Sequence, residues 1–394
     1  MTTLSTHGRR QPHLAVELDG AGRHPAAWRL PDARPRELCT AGYWADLAVL
    51  ADTGGLDFLA IGDSFVPPDE GERAVVRGRL DAVAIAARVA PVTGMVGLVP
   101  TATVTHTEPF HLSKAIATLD FVSLGRAGWE PSVSRTQAEA DLFGRKDAAD
   151  AADAATLWRE AADAVEVVAR LWDSWEDDAV IRDAATGRYI DRDKLHYIDF
   201  TGEFFSVKGP SITPRSPQAH PPVVVRADED AALPLVGRWA QVARVAAPDL
   251  ASAASARARV RDAVAAEGRD PDAVAVLLDV ETLLAPSADL AARTLDRLDV
   301  WAGQAASAPD TVRLVGAARD LADLVEEAVR AGAADGITLV PLALPSGLAA
   351  IAHGLVPELV ARGLRPAEAP GGTLRDRFGL PRPANYFTAT EASR

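Results

Sequence analysis

Polar side chains stand just past short apolar runs, and those positions are where chemistry would be done. The run 95–100 breaks into Thr101 to Thr107, which contains His106; the run 57–61 breaks into Gly62-Asp63-Ser64; the run 13–18 opens into a stretch rich in Gly and Pro, 19–35, that contains His24. An imidazole titrates near neutral pH, so His24 and His106 are candidates for moving a proton at a reacting centre. Asp63 offers a carboxylate, although an Asp after a strand also serves as an ordinary turn or cap residue. Asp228-Glu229-Asp230 opens a predicted helix, where acids commonly cap free N–H groups. With a nearby His they could also ligate a divalent cation, but consecutive acids at a helix start are usually solvated, and no metal is expected. Glu176-Asp177-Asp178 is a further acidic cluster, read as cap and salt-bridge chemistry.

These residues share a place only if the elements between them alternate regularly. Strands are predicted over 13–18, 57–61, 95–100, 125–129, 222–226, 241–246, 273–280 and 335–341, each a short run bounded by turn residues. Between them lie helical patterns. Thr107-Glu108-Pro109 supplies a cap and a first-turn Pro, with His111, Ala115 and Leu119 at helical spacing. Further helices are predicted over 43–53, 80–89, 153–171, 290–301, 317–331 and 346–362. Strands alternating with helices in this number predict a single-domain (β/α)8 TIM barrel over 1–394, an α/β fold whose chemistry sits on the loops after the strands. Residues 173–221, between strands four and five, form an insertion far longer than an ordinary connection. Residues 367–394 form a tail rich in Pro and Gly.

The segment 108–129, EPFHLSKAIATLDFVSLGRAGW, resembles a phrase of bacterial luciferase-like flavin monooxygenases. LWDSWEDDAV at 171–180, HYIDFTGEFFSVKGPSITPRSPQ at 196–218 and TLRDRFGLPRPAN at 373–385 resemble further phrases of the subgroup that contains nitrilotriacetate and dibenzothiophene sulfone monooxygenases. The matches keep the family's order over nearly the whole chain. The resemblance implies a luciferase-like barrel that oxygenates a small organic substrate with O2 and reduced FMN supplied by a separate flavin reductase. It also implies a homo-oligomer, or a heterodimer with a paralogue, and an insertion that covers the substrate pocket. GRHPAAW is similar to the family's GHHEAAW and keeps His24 and Trp28; Asp63 and Thr101 fall at family cofactor positions; His106 stands where the family often has Tyr.

Other positions depart from the family. The Asn after GRAGW is Glu130, and the helix that usually carries HxxRY reads Ala155 to Arg159, so its His and Tyr become Ala155 and Arg159. The phosphate loop, usually close to VIVQAGSSEAG, begins VVVRADEDAAL at Val223, which puts Asp228, Glu229 and Asp230 at its Gly and two Ser positions. Three carboxylates there are expected to fill the helix-start donors and repel a phosphate. A like-charge pair 4 Å apart costs about 4 kcal/mol at an effective dielectric of 20. Arg159 and Arg226 could offset the acids. The resemblance thus assigns His24 and His106 as acid/base candidates and Asp63, Thr101, Glu130, Arg159 and Arg226 as flavin contacts. The alternative is a flavin-free homologue, closed by the three acids and serving as a non-catalytic partner subunit or a repurposed barrel.

Composition narrows the partners. A net charge of -14 argues against nucleic acid and against an anionic membrane surface. Cys39 is the single cysteine, which excludes an intrachain disulfide and a CxxC site. Nowhere do 18 apolar residues run together, so a cytoplasmic protein is expected. His111 reads as a packed core residue, His196 and His220 as surface residues, and Trp28, Trp129, Trp172 and Trp175 as core more than pocket lining.

Overall fold

Apolar runs that a parallel sheet can bury on both faces form the strands. The computed structural model describes residues 11–66, 76–144, 153–303, 309–368 and 371–391. Eight parallel strands make the barrel: β1 (His13–Leu18), β2 (Phe58–Ile61), β3 (Gly97–Thr103), β4 (Glu130–Ser132), β5 (Val224–Arg226), β6 (Val242–Val245), β7 (Ala275–Leu284) and β8 (Gly336–Pro341). They pair in the order β4-β3-β2-β1-β8-β7-β6-β5. A parallel bridge between Trp129 and Val223 closes the ring. There Trp129 N–H donates to Pro222 O at 2.9 Å, and Val224 N–H donates to Trp129 O at 2.8 Å.

Side chains alternate across a strand, so every second residue points into the barrel. At one level these are Ala15, Phe58, Val99, Val224, Val242 and Leu277, an apolar layer closed from below by Leu374 of the C-terminal tail. Two residues further along five of those strands stand Glu17, Thr101, Arg226, Arg244 and Asp279. An apolar floor and a polar layer above it therefore follow from the strand period alone.

Several elements differ from expectation. β3 runs on to Thr103 because its polar residues pair with β4, Thr101 opposite Glu130 and Thr103 opposite Ser132; Thr101 is thus a strand residue and not part of the loop. β4 starts at Glu130, later than 125–129, and the earlier segment contributes only the isolated bridges of Ala127 and Trp129. β7 extends to Leu284 because its upper half also pairs with an unexpected parallel strand, Val312–Gly316. The helix over 346–362 contains a π turn at Ile351–Leu355. A helix at Gln137–Phe143, closed by a Thr136/Glu139 capping box, was not foreseen.

The ends of the insertion are set by the elements that flank it. It starts where the helix Ala154–Asp173 ends and stops where β5 begins, and in a βα repeat both points sit on the rim opposite the catalytic face. From there the hairpin Phe200–Thr201/Ser206–Val207 climbs along that helix, and Glu203 at its tip meets Arg159 and Asp163. Asp173 anchors its base, bonded to Arg215 of the insertion and to the Tyr386 amide of the tail, with the His220 ring 2.9 Å away. Among the described residues no helix is long and apolar enough to cross a membrane.

Candidate functional site

Arg244 is the centre of the polar layer. Its side chain is 1% exposed, and its guanidinium donates to both oxygens of Asp279 (3.0 and 2.8 Å), to Glu130 (2.7 Å) and to Glu17. Thr101 donates to the other Glu130 oxygen at 3.1 Å. Arg226 lies one strand over, 3.4 Å from Glu17, 3.2 Å from Asp279 and 3.0 Å from Asp228. Six strand residues from β1, β3, β4, β5, β6 and β7 thereby form one connected network. Buried charges persist only when paired and hydrogen-bonded in this way.

The network carries three inward carboxylates against two guanidinium groups, and their protonation divides accordingly. Burial pushes the Glu17 carboxyl up, but Arg244 and Arg226 together pull it down to about 2. At Asp279 burial dominates, and with Glu17 adding repulsion the carboxyl sits above its ordinary value despite the same two arginines. A proton entering the layer goes to Asp279 before Glu17.

The loops after the strands hold the remaining candidates apart from one another. His24 Nδ1 accepts from the Ala26 N–H at 3.1 Å, which leaves Nε2–H to donate to Asp299 at 3.0 Å on the helix Ala288–Ala302. This brackets the first loop to that helix. His106 stacks on Phe143, with centroids 4.8 Å apart and rings 8° from parallel, and Phe65 lies 6.3 Å from its ring. The two histidines stand in separate environments. Asp63 accepts from the amides of Ser64 (2.8 Å) and Ala82 (2.9 Å), so it caps a turn and the start of the helix Ala82–Val89. Burial still raises its carboxyl above the ordinary value, against those two N–H groups. Arg159 bonds Glu203 at 3.2 Å with half of its side chain exposed, and the structure does not bring it to Arg226.

The three acids after β5 do not cap the helix that follows. The 3-10 turn Asp230–Ala232 and the seven-residue helix Leu233–Trp239 have no side-chain cap bond. Each acid instead takes an arginine: Asp228 pairs with Arg226 and accepts from the Ala246 N–H at 2.9 Å, Glu229 pairs with Arg135, and Asp230 pairs with Arg259. Glu229 also accepts from the Trp158 indole at 2.6 Å. The expected repulsion is therefore offset residue by residue, by arginines at 135, 226 and 259 rather than by Arg159. Among the described residues no three His, Cys, Asp or Glu side chains group as metal ligands.

Thr101, Glu130 and Arg226, expected as flavin contacts, lie in the polar layer, whereas Glu17, Arg244, Asp279, Arg135 and Trp158 were not singled out from the sequence. The first three carried a signal, a charge set inside an apolar strand run in AVELD, VARVA and LLDVE. Arg135 and Trp158 carried none, since they belong to a loop and a helix that meet only in three dimensions.

Comparison with known proteins agrees with this architecture. The profile of the family described as "Luciferase-like monooxygenase" matches residues 20–374. The chain is 31% identical to N-acetyl-S-(2-succino)cysteine monooxygenase of Bacillus subtilis, over 97% of this chain and 99% of that one. It is 30% identical to nitrilotriacetate monooxygenase component A of Aminobacter aminovorans, over 95% and 98%. In fold it is similar to a long-chain alkane monooxygenase, with a TM-score of 0.85 at 22% identity over 94% of this chain and 95% of that one. EDTA monooxygenase of Chelativorans gives 0.82 at 22% identity, over 95% and 99%.

Proposed function

Because the chain belongs to the luciferase-like monooxygenase family, we propose that it oxygenates a small organic molecule with O2 and reduced FMN delivered by a separate flavin reductase. The observation that carries this is the family match over residues 20–374 on a barrel whose catalytic face keeps a polar, organised interior. Reduced flavin, when bound, supplies the electrons that activate O2. The residues of the face suit such a group: Arg135 would hold its phosphate, and the Glu17–Arg244–Asp279–Glu130 layer would supply a polar floor to the site.

The chain's own contributions are positional and electrostatic. Arg244 and Thr101 hold Glu130 still, and Asp279 takes up a proton more readily than Glu17. His106, stacked on Phe143 and edge-on to Phe65, stands at the mouth as the acid/base candidate; His24, bonded to Asp299, positions the first loop. We place the enzyme in the cytoplasm as a homo-oligomer. The flavin-free alternative loses its main support, because the acids that were to close the helix start are bonded to arginines.

Anaerobic equilibrium dialysis with reduced FMN is the direct test. The expected result is binding in the micromolar range, typical of small-molecule sites. Absence of binding up to millimolar flavin would remove the oxygenase reading and return the chain to a partner-subunit role.

A further inference from the structure

Glu229 occupies an anion receptor already built from two other elements. One of its oxygens accepts both the indole N–H of Trp158, at 2.6 Å, and the guanidinium of Arg135. Arg135 precedes the helix Gln137–Phe143, and Trp158 sits in the helix Ala154–Asp173, so the two donors converge only through the fold. Trp158 is 6% exposed, and an indole N–H withdrawn from water needs an acceptor. The Arg135 side chain is 43% exposed, so a ligand can reach it from solvent. A guanidinium and a buried N–H aimed at one oxygen are what anion recognition requires.

We propose that Arg135 and Trp158 receive the flavin phosphate and that Glu229 is their displaceable internal counter-ion, which holds the receptor until the phosphate replaces it. This rests on the reading that the barrel mouth takes flavin. The exchange leaves no donor without a partner at either end: the carboxylate satisfies Arg135 and Trp158 in the empty protein, and phosphate oxygens satisfy them afterwards. Glu229, about one-third exposed, then turns to water. Asp228 and Asp230 stay out of the exchange, since Arg226, the Ala246 N–H and Arg259 engage them. The competition acts on the phosphate alone. Riboflavin, which shares the ring system and ribityl chain but has no phosphate, does not meet it.

The test compares reduced FMN with reduced riboflavin in anaerobic dialysis against the full chain, Glu229→Gln, Arg135→Gln and the double variant. Glu229→Gln keeps an acceptor for Trp158 and removes only the charge, and Glu229→Ala serves as a second replacement should the amide disturb folding. The expected result is FMN affinity about tenfold tighter in Glu229→Gln, equivalent to about 1.4 kcal/mol, with riboflavin affinity unchanged. Arg135→Gln should weaken FMN, and the double variant should keep none of the gain. Equal FMN affinity with and without the Glu229 charge, or a gain shared by riboflavin, overturns the counter-ion role while leaving flavin binding intact. Failure of every variant to bind either flavin overturns both.

Discussion

Arg244 bonds more of the buried charge than any neighbour can replace, and that makes it the residue on which the polar layer depends. Removing it leaves Glu17, Glu130 and Asp279 facing one another out of water, with Arg226 as the remaining strand cation. Breaking a buried pair by deleting one partner typically costs about 3–5 kcal/mol, so Arg244→Met should lose about that much in urea-denaturation stability. Arg244→Lys should recover little, because a single ammonium cannot fork across Asp279 and still reach Glu130 and Glu17. Glu130→Gln should cost clearly less than either, since an amide keeps bonds to Thr101 and Arg244 while lowering the negative excess. An Arg244→Met protein within about 1 kcal/mol of the unmodified chain, the size of a typical surface effect, would refute the central role. That role was half legible in the sequence. Charged residues inside apolar runs mark buried charge, but which charges meet depends on strand order and on register such as Arg244 beside Leu277, which no local pattern carries.

Elements with purely local causes were the ones the sequence could reveal. The barrel strands are continuous apolar runs because parallel strands are buried on both faces, whereas the cap expected from Thr107 is not made: the helix Pro109–Val122 starts at Glu108 with no side-chain cap bond, while Thr40 and Asp81 cap two other helices. Val312–Gly316 was missed because it is only partly buried, with Arg313 among its apolar residues, and exists as a strand through its pairing with β7. The part played by the tail was equally hidden. Leu374, 1% exposed, enters the lower end of the barrel against Phe58, Val99, Val224 and Leu277, and Gly97 makes room for it. A Cβ at Gly97 would come within 2.6 Å of a Leu374 methyl and 2.9 Å of the Phe58 Cβ. Replacing a fully buried Leu by Ala costs about 2–5 kcal/mol. Leu374→Ala should therefore shift the urea midpoint as strongly as a change in a barrel strand, and a shift worth less than about 1 kcal/mol would mean the tail merely rests on the surface.

At the scale of the whole molecule the carboxylates divide into two sets, and the division fixes how stability responds to acid. Burial raises the carboxyls of Asp19, Asp63, Asp120 and Asp279 above their ordinary value of 3.8. These groups take up protons more readily folded than unfolded, so lowering the pH through their range favours the folded chain. Others are held down. At Glu17 burial is outweighed by Arg244 and Arg226, which bring the carboxyl to about 2 from 4.5. At Asp177 the bond from Arg382 is the largest influence, and the carboxyl reaches about 2 from 3.8. Asp57, buried between His13 and Arg365, is lowered further still. For these the sign reverses: their contribution is complete above the unfolded value and is lost as pH falls through the folded one. Glu17 alone would contribute about 3 kcal/mol at neutral pH on that difference. The melting temperature should stay level or rise slightly from pH 7 to about 5 and then drop steeply between about 4.5 and 2, as the raised groups titrate first and the lowered ones last. Calorimetry across that range checks the shape, and Glu17→Gln should flatten the lower limb and, with its repulsion on Asp279 removed, also reduce the upper one. A Glu17→Gln protein that keeps the full acid slope would place the acid sensitivity outside the barrel interior, with Asp57 and Asp177 as the groups to replace next.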